Sequence, residues 1–208
     1  MLKIWGRTSS SNVMKVLWLC TEINEPYERI DWGGEFGGND DPAYRAMNPN
    51  GRVPTIEDGS TVIWESNTIL RYLCTTRGAD RLYPKDPAQR SFVERWMDWQ
   101  LANSGGALTT LFFGYVRTPP EKRNQAALDK AFTEGVAIWR ILENWLEHRK
   151  TDYLAGPEFT IADIPVGIHA RRWFGFPIER PNLPRFKAWH DRIAARAGYV
   201  KHVGGPMS

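Results

Sequence analysis

Over the first eighty residues, stretches with a period of two alternate with stretches at helical spacing. Leu2 to Trp5 alternates apolar and polar positions and breaks at Gly6, which predicts a short strand. The next segment, Gly6-Arg7-Thr8-Ser9-Ser10-Ser11-Asn12, is turn and cap chemistry. It runs into Val13, Val16, Leu17, Leu19, Cys20 and Ile23, apolar positions on one helical face. A second strand is predicted around Tyr27 to Trp32, and a strand–helix–strand unit with short joints makes the two strands parallel. After a Gly- and Asp-rich loop (33–42) and one helical turn at 43–47, Val53–Ile56 and Thr61–Trp64 flank Asp58-Gly59, a hairpin signal. A helix then starts at Glu65-Ser66-Asn67 and carries Ile69, Leu70 and Leu73 on one face as far as Gly78. The predicted order is β-α-β-β-β-α, a small mixed sheet with helices.

Beyond this point the period changes. Residues 78–87 hold a Gly, two Pro and four charges, and read as a linker. One long helix is expected over 88–115, loosened at Gly105-Gly106 and stopped by Pro119-Pro120. A second is expected over 122–149, where Leu128, Phe132, Val136, Trp139, Leu142 and Leu146 recur at helical spacing. Shorter helices are predicted from Ile161 and from Leu183. The expected organisation is an α/β domain at 1–77, a linker at 78–87 and an all-α domain at 88–208.

Composition narrows the functions available. A chain of 208 residues with 42% apolar and 25% charged residues can bury a core. Ten Trp is an unusual load, divided between core packing and any apolar ligand site. Net charge is +3, split into −3 over residues 1–80 and +6 over the remainder. The basic excess is interspersed with acids, so no nucleic-acid footprint is expected. Cys20 and Cys74 form no CxxC motif, and His148, His169, His190 and His202 lack metal-ligand spacing, so neither a disulfide framework nor a metal site is expected. No apolar run approaches membrane-spanning length and no signal core is visible, which predicts a cytoplasmic protein with no membrane partner.

Three short motifs carry candidate chemistry. The first is Arg52-Val53-Pro54. A Pro in a strand belongs at its first residue or its edge. If the bond before it is cis, the Val53 N–H and C=O face outward, where they can pair with another peptide. The second is Glu65-Ser66, where a strand gives way to a helix. Free amide groups and the positive helix end suit a carboxylate there, and Glu65 suits an amine. Each motif has a plain structural alternative: Val-Pro before a hairpin is common, and Ser66 is a ready N-cap. Together they describe a seat for a short peptide with a free carboxyl and a free amine. The third is Ser9-Ser10-Ser11-Asn12, at the joint of first strand and first helix. Ligands of open α/β sheets bind at this carboxyl edge. With no nucleophile elbow, a hydroxyl here serves better as a donor to a thiolate than as a nucleophile. Lowering a thiol from about 8.5 to about 6.5 takes ~2.7 kcal/mol, and one hydrogen bond to a charged group supplies ~1.5–3 kcal/mol.

The runs LKIWGRTSSSNVMKVLW, NPNGRVPTIED and VIWESNTILRYL resemble the N-terminal domain of cytosolic glutathione transferases, the bacterial theta-, nu- and zeta-like branches especially. Phe159-Thr160-Ile161-Ala162-Asp163 resembles the family's Thr-x-x-Asp capping box in the second domain. The resemblance spans essentially the whole chain. It implies a thioredoxin-like domain followed by a helical bundle, glutathione as co-substrate, a small electrophile as second substrate, and a homodimer. It implies that Val53 pairs with the cysteinyl part of glutathione beside a cis Pro54. Glu65 and Ser66 then hold the γ-glutamyl end and Arg52 lies near the glycyl carboxylate. It places Ser10 at the family's Ser/Thr position for the thiol, with Ser11 and Asn12 as alternatives and Ser9 beside them. Asn103 and Ser104 are candidates to reach the glutathione of the neighbouring subunit. Trp96, Trp99, Phe112, Phe113, Tyr115 and Trp173 are candidates for the second-substrate pocket. The expected activity is transfer of glutathione to an apolar electrophile. The alternatives are glutathione-dependent disulfide reduction without an enzyme cysteine, and a non-catalytic interaction module. The zeta-type SSCxxxR run is incomplete, which argues against an isomerase.

Overall fold

The alternation at the N-terminus forms β1 (Leu2–Trp5), with Leu2 and Ile4 buried. A computed structural model describes residues 1–205 and residue 207. Those residues fall into two compact units. The first joins Met1–Pro84 to Ala197–Gly205, and the second spans Lys85–Arg196. The expected second domain ran to 208, of which residues 206 and 208 lie outside the described residues.

In the first unit, α1 (Ser11–Glu22) crosses from β1 to β2 (Tyr27–Ile30), and the two strands pair in parallel with Leu2 opposite Tyr27. A short helix α2 (Pro42–Met47) is capped by Asp41, whose carboxylate accepts from the Ala43 and Tyr44 amides. Then β3 (Thr55–Asp58) pairs antiparallel with β1 and with β4 (Thr61–Trp64), so the sheet order is β2-β1-β3-β4. Pro54 was expected to open a strand, but the ladder starts one residue later, at Thr55. The helix α3 (Ser66–Thr76) returns beside α1. Segment 77–86 has no regular structure, yet Leu82 and Tyr83 within it are buried.

Seven residues of α1 besides Lys15 are buried, more than one face accounts for. The cover comes from α3 and from a helix that the hydrophobic pattern did not predict, α9 (Ala197–His202). This last helix lies against α1. The Tyr199 ring meets Trp18 edge-on with centroids 5.2 Å apart, and the His202 ring shares a hydrogen bond with Thr21 Oγ1 at 2.9 Å. A Cβ at Gly198 would sit 2.8 Å from the Trp18 carbonyl oxygen, so only glycine permits this approach. The C-terminal segment was expected to belong wholly to the helical domain; residues 197–205 instead pack within the first unit.

The second unit holds helices and no strand among the described residues. The helix expected over 88–115 is α4 (Pro87–Trp99), a wide turn at Gln100–Ser104, α5 (Gly105–Phe112) and a second wide turn at Phe113–Arg117. The loosening comes just before the two glycines, where Ser104 Oγ bonds the Gln100 carbonyl (2.9 Å) and the His169 ring (2.7 Å). Then α6 (Gln125–Arg149) is capped by Asn124 and ends at Lys150 in the left-handed region. Helices α7 (Asp163–Gly175) and α8 (Pro184–Ala194) complete the bundle, starting two and one residues later than the pattern placed them. Aromatic rings fill the centre: Trp139 stacks on Phe186 at 4.4 Å and Phe174 on Phe186 at 4.9 Å. Among the described residues no helix is long and apolar enough to cross a membrane.

Candidate functional site

Three chain segments meet at one open cleft of about 210 Å³ on the first unit. The start of α1 supplies Asn12, the loop before β3 supplies Asn48, Asn50, Arg52, Val53 and Pro54, and the start of α3 supplies Glu65 and Ser66. Of the residues expected to hold a peptide-like ligand, Arg52, Val53, Pro54, Glu65 and Ser66 therefore line one surface.

The Val53–Pro54 peptide is cis. The Val53 N–H and C=O make no hydrogen bond to another described residue, so both are available to a ligand's backbone. The preceding carbonyl is held twice: Arg52 O accepts from the Tyr44 hydroxyl at 2.9 Å and from the Asn48 amide at 2.7 Å. Burial raises the Tyr44 phenol above its ordinary value, so at neutral pH it keeps the proton it donates. Asn48 Oδ1 also accepts from the Asn50 amide at 3.1 Å. These two side chains clamp the loop, and sequence reasoning passed over both. The Asn48-Pro49-Asn50-Gly51 run was a visible turn signal, but the partners of Tyr44 and Asn48 depend on how α2 folds back over β3.

Glu65 carries a positive φ of 71° with ψ of 109°, a backbone region costly for a residue with a Cβ. It is the residue at the N-cap of α3, and its side chain makes no capping bond. The plain alternative, Ser66 as N-cap, is not what forms: Ser66 is already the first helical residue. With the cap unfilled, the first amides of α3 and the positive end of its dipole open toward the cleft. The exposed Glu65 carboxylate and the exposed Arg52 guanidinium have no charged partner among the described residues. One cleft thus offers a cation, an anion, an unpaired peptide group and a helix N-terminus.

At the first helix the three thiol-contact candidates differ. Ser10 is the N-cap residue of α1 and its hydroxyl makes no capping bond. Ser11 is the first helical residue. Asn12 lines the cleft and its Oδ1 accepts from the Ser66 hydroxyl at 3.4 Å, linking the two helix starts. Ser9 Oγ accepts from Arg7 Nε at 3.1 Å. Below them lies Lys15, which the hydrophobic pattern treated as one polar position of an amphipathic helix. It is 1% exposed, and its Nζ donates to Ser66 Oγ and Asn67 Oδ1, each at 3.4 Å.

The described candidates in the second unit are held in several ring contacts. Trp96 is buried against Trp99 and Trp145, with centroids 5.0 and 5.6 Å apart. Trp173 is 1% exposed, stacked on Phe132 at 5.8 Å, and borders a separate hollow with Arg180, Leu183 and Lys187. Phe112 packs edge-on to Phe113, and Tyr115 lies 5.9 Å from Phe176. Phe113 is 56% exposed, so it is a surface residue of this unit. Asn103 is exposed, its amide donating back to the Trp99 carbonyl at 3.2 Å.

Both cysteines are buried, and burial pushes each thiol up to about 12. Thiolate chemistry at neutral pH is therefore not supplied by this chain's own sulfur.

Comparison with known proteins bears on the whole chain. A model of the glutathione S-transferase N-terminal domain matches residues 9–76, and one of the C-terminal domain matches residues 106–197. The chain is 38% identical to glutathione S-transferase GstB of Escherichia coli over the full length of both proteins. It superposes with a TM-score of 0.93 and 44% identity on a theta class glutathione S-transferase of Xanthomonas axonopodis pv. citri with glutathione bound. The match covers 100% of this chain and 99% of the other. Glutathione transferase F2 of Populus trichocarpa shares the fold, with a TM-score of 0.88 at 23% identity over 98% of both chains. With its two-part fold, its cleft and full-length relatives in agreement, the chain belongs to the glutathione S-transferase family.

Proposed function

We propose that glutathione lies along this cleft, and that the chain transfers it to an apolar electrophile. The observation that carries the reading is the unpaired Val53 peptide flanked by two unmatched charges, Arg52 and Glu65. Glutathione is a zwitterionic tripeptide whose groups complement that set. Its cysteinyl backbone pairs with Val53, its γ-glutamyl amine meets Glu65, its γ-glutamyl carboxylate takes the first amides of α3 with Ser66, and its glycyl carboxylate takes Arg52.

The thiol then falls to the start of α1. Ser10 is the proposed donor because its hydroxyl is not consumed by capping; Asn12, whose Oδ1 accepts from Ser66, keeps its amide N–H groups as auxiliary donors. Stabilising the thiolate leaves it anionic at neutral pH. It attacks the electrophile, a carbon–sulfur bond forms, and the leaving group departs with its electron pair while the thiol proton passes to solvent. The inert state of Cys20 and Cys74 supports chemistry carried by the glutathione sulfur alone. A cytoplasmic homodimer is the proposed working form; the exposed apolar Val62 and Trp64 on edge strand β4 support a partner surface.

The test is the pH–rate profile of Ser10→Ala beside Ser11→Ala and Asn12→Ala. Loss of one charge-assisted hydrogen bond moves the apparent thiol pKa of bound glutathione up by roughly one to two pH units in Ser10→Ala alone. An unmoved profile in that variant reassigns the contact to whichever neighbour does move it. Failure of the unmodified protein to bind glutathione in calorimetry ends the reading.

A further inference from the structure

Lys15 is the only lysine among the buried polar and charged residues, which are counted among the described residues. An ammonium removed from water is costly unless its donors are satisfied and its charge is useful. Its place is informative. Nζ lies 3.4 Å from Ser66 Oγ and 3.4 Å from Asn67 Oδ1, beneath the first two residues of α3. Lys15 belongs to α1, so a single side chain ties the starts of the two helices that open onto the cleft.

Hydrogen-bond polarity follows from this contact. An ammonium has three donors and no acceptor. Ser66 Oγ must therefore accept from Lys15, and its own proton has to point elsewhere. The directions left are toward Asn12 Oδ1, 3.4 Å away, and toward the cleft that Ser66 and Asn12 both line. In the same way Asn67 Oδ1 is turned to Lys15. The positive charge also adds to the N-terminal end of the α3 dipole. A carboxylate arriving at the start of α3 takes the one Ser66 proton over from Asn12 Oδ1, from a hydroxyl held as a donor and polarised by a cation that water does not screen.

We propose that Lys15 is a positioning residue for the carboxylate seat: its buried ammonium orients and polarises Ser66 for the γ-glutamyl carboxylate of glutathione. This rests on the reading of the cleft given above. Lys15 is sealed from the cleft by Ser66, so it acts on the ligand through Ser66 and contributes to binding more than to the chemical step.

The test compares the full-length protein with Lys15→Met, Lys15→Gln and Lys15→Arg. Two probes are titrated by calorimetry: glutathione, and glutathione whose γ-glutamyl carboxylate is converted to the carboxamide. In Lys15→Met the Kd and KM for glutathione rise by about tenfold or more, the size of one charge-assisted hydrogen bond. The kcat at saturating glutathione stays within about twofold, as for loss of uniform binding. The same substitution changes the carboxamide's Kd by less than about twofold, because the lost interaction is specific to the carboxylate. Lys15→Arg restores most of the affinity. Lys15→Gln, which keeps a donor without the charge, carries the comparison if the methionine variant does not fold. Equal losses for both probes, or an unchanged Kd for glutathione, overturn the assignment and leave Lys15 as packing. If the unmodified protein binds neither probe, the glutathione seat itself is wrong and the assignment falls with it.

Discussion

At the scale of the residue, the site is a set of local rules broken in one place. Glu65 keeps a Cβ at φ 71° and ψ 109°, leaves its helix uncapped and stays exposed. A residue so placed costs of order 1–3 kcal/mol and persists where the surroundings hold it. Glu65→Gly should therefore raise stability by about 1 kcal/mol in chemical denaturation, while weakening glutathione binding by about tenfold through the lost charge. A variant that loses stability, or binds as before, contradicts the assignment of that strain to the ligand seat. The pairs Val53-Pro54 and Glu65-Ser66 were legible in the sequence because cis-compatible proline and helix-start chemistry are written in single residues and their immediate neighbours. Tyr44, Asn48 and Lys15 were not, because each acts on a group 4 to 51 residues away, through a contact the folded chain creates.

At the scale of the element, α7 begins on a buried carboxylate. Asp163 is 0% exposed and accepts from the Thr160 and Leu154 amides at 3.0 Å each and from Trp189 Nε1 at 2.8 Å. The reciprocal half of the capping box is Thr160 Oγ1, which accepts from the Ala162 amide at 3.3 Å. One side chain thus fixes the start of α7, the loop before it and α8. Asp163→Ala leaves three donors without their acceptor, each worth about 1–3 kcal/mol when buried, so the loss should exceed about 3 kcal/mol in urea or guanidinium titration. A loss under about 1 kcal/mol shows that water or a shifted neighbour replaces it. The Thr-x-x-Asp signature was readable in advance; the bonds to Leu154 and Trp189 depend on packing.

At the scale of the whole molecule, the acid response draws on groups with opposed shifts, of which the half-buried His190 and the buried Asp163 are one pair. Burial lowers His190 to about 4, so its neutral form is favoured in the folded state. Its stabilising contribution, of order 3 kcal/mol, is present above the unfolded value near 6.5 and is lost as pH falls through about 4. Burial raises Asp163 to about 6 against the hydrogen bonds that favour its charge. Its contribution is therefore present below the unfolded value near 3.8 and lost as pH rises through about 6. Between pH 4 and 6 the two trends oppose each other. Asp163→Asn removes one of them, so its unfolding free energy should fall more steeply with acid than that of the unmodified protein. His190→Phe should show the reverse. Parallel curves for all three proteins contradict the shifts.

The sequence by itself determined the class of the elements and their order. Hydrophobic period is a local property: strand and helix periods alternate up to about residue 78, and only the helical one continues beyond it, which separates sheet-bearing from helical chain. The sequence also marked Arg52-Val53-Pro54 and Glu65-Ser66, which the fold brings to one cleft and whose proposed chemistry rests on adjacent residues. Tertiary structure alone decided which faces are covered. The short 197–202 segment carries too few periodic positions to announce a helix, and it folds back on α1 because Gly198 lets the backbone reach Trp18. Nor could spacing tell that Lys15 lies under Ser66 rather than in water: burial of a long polar side chain depends on what a distant segment lays over it.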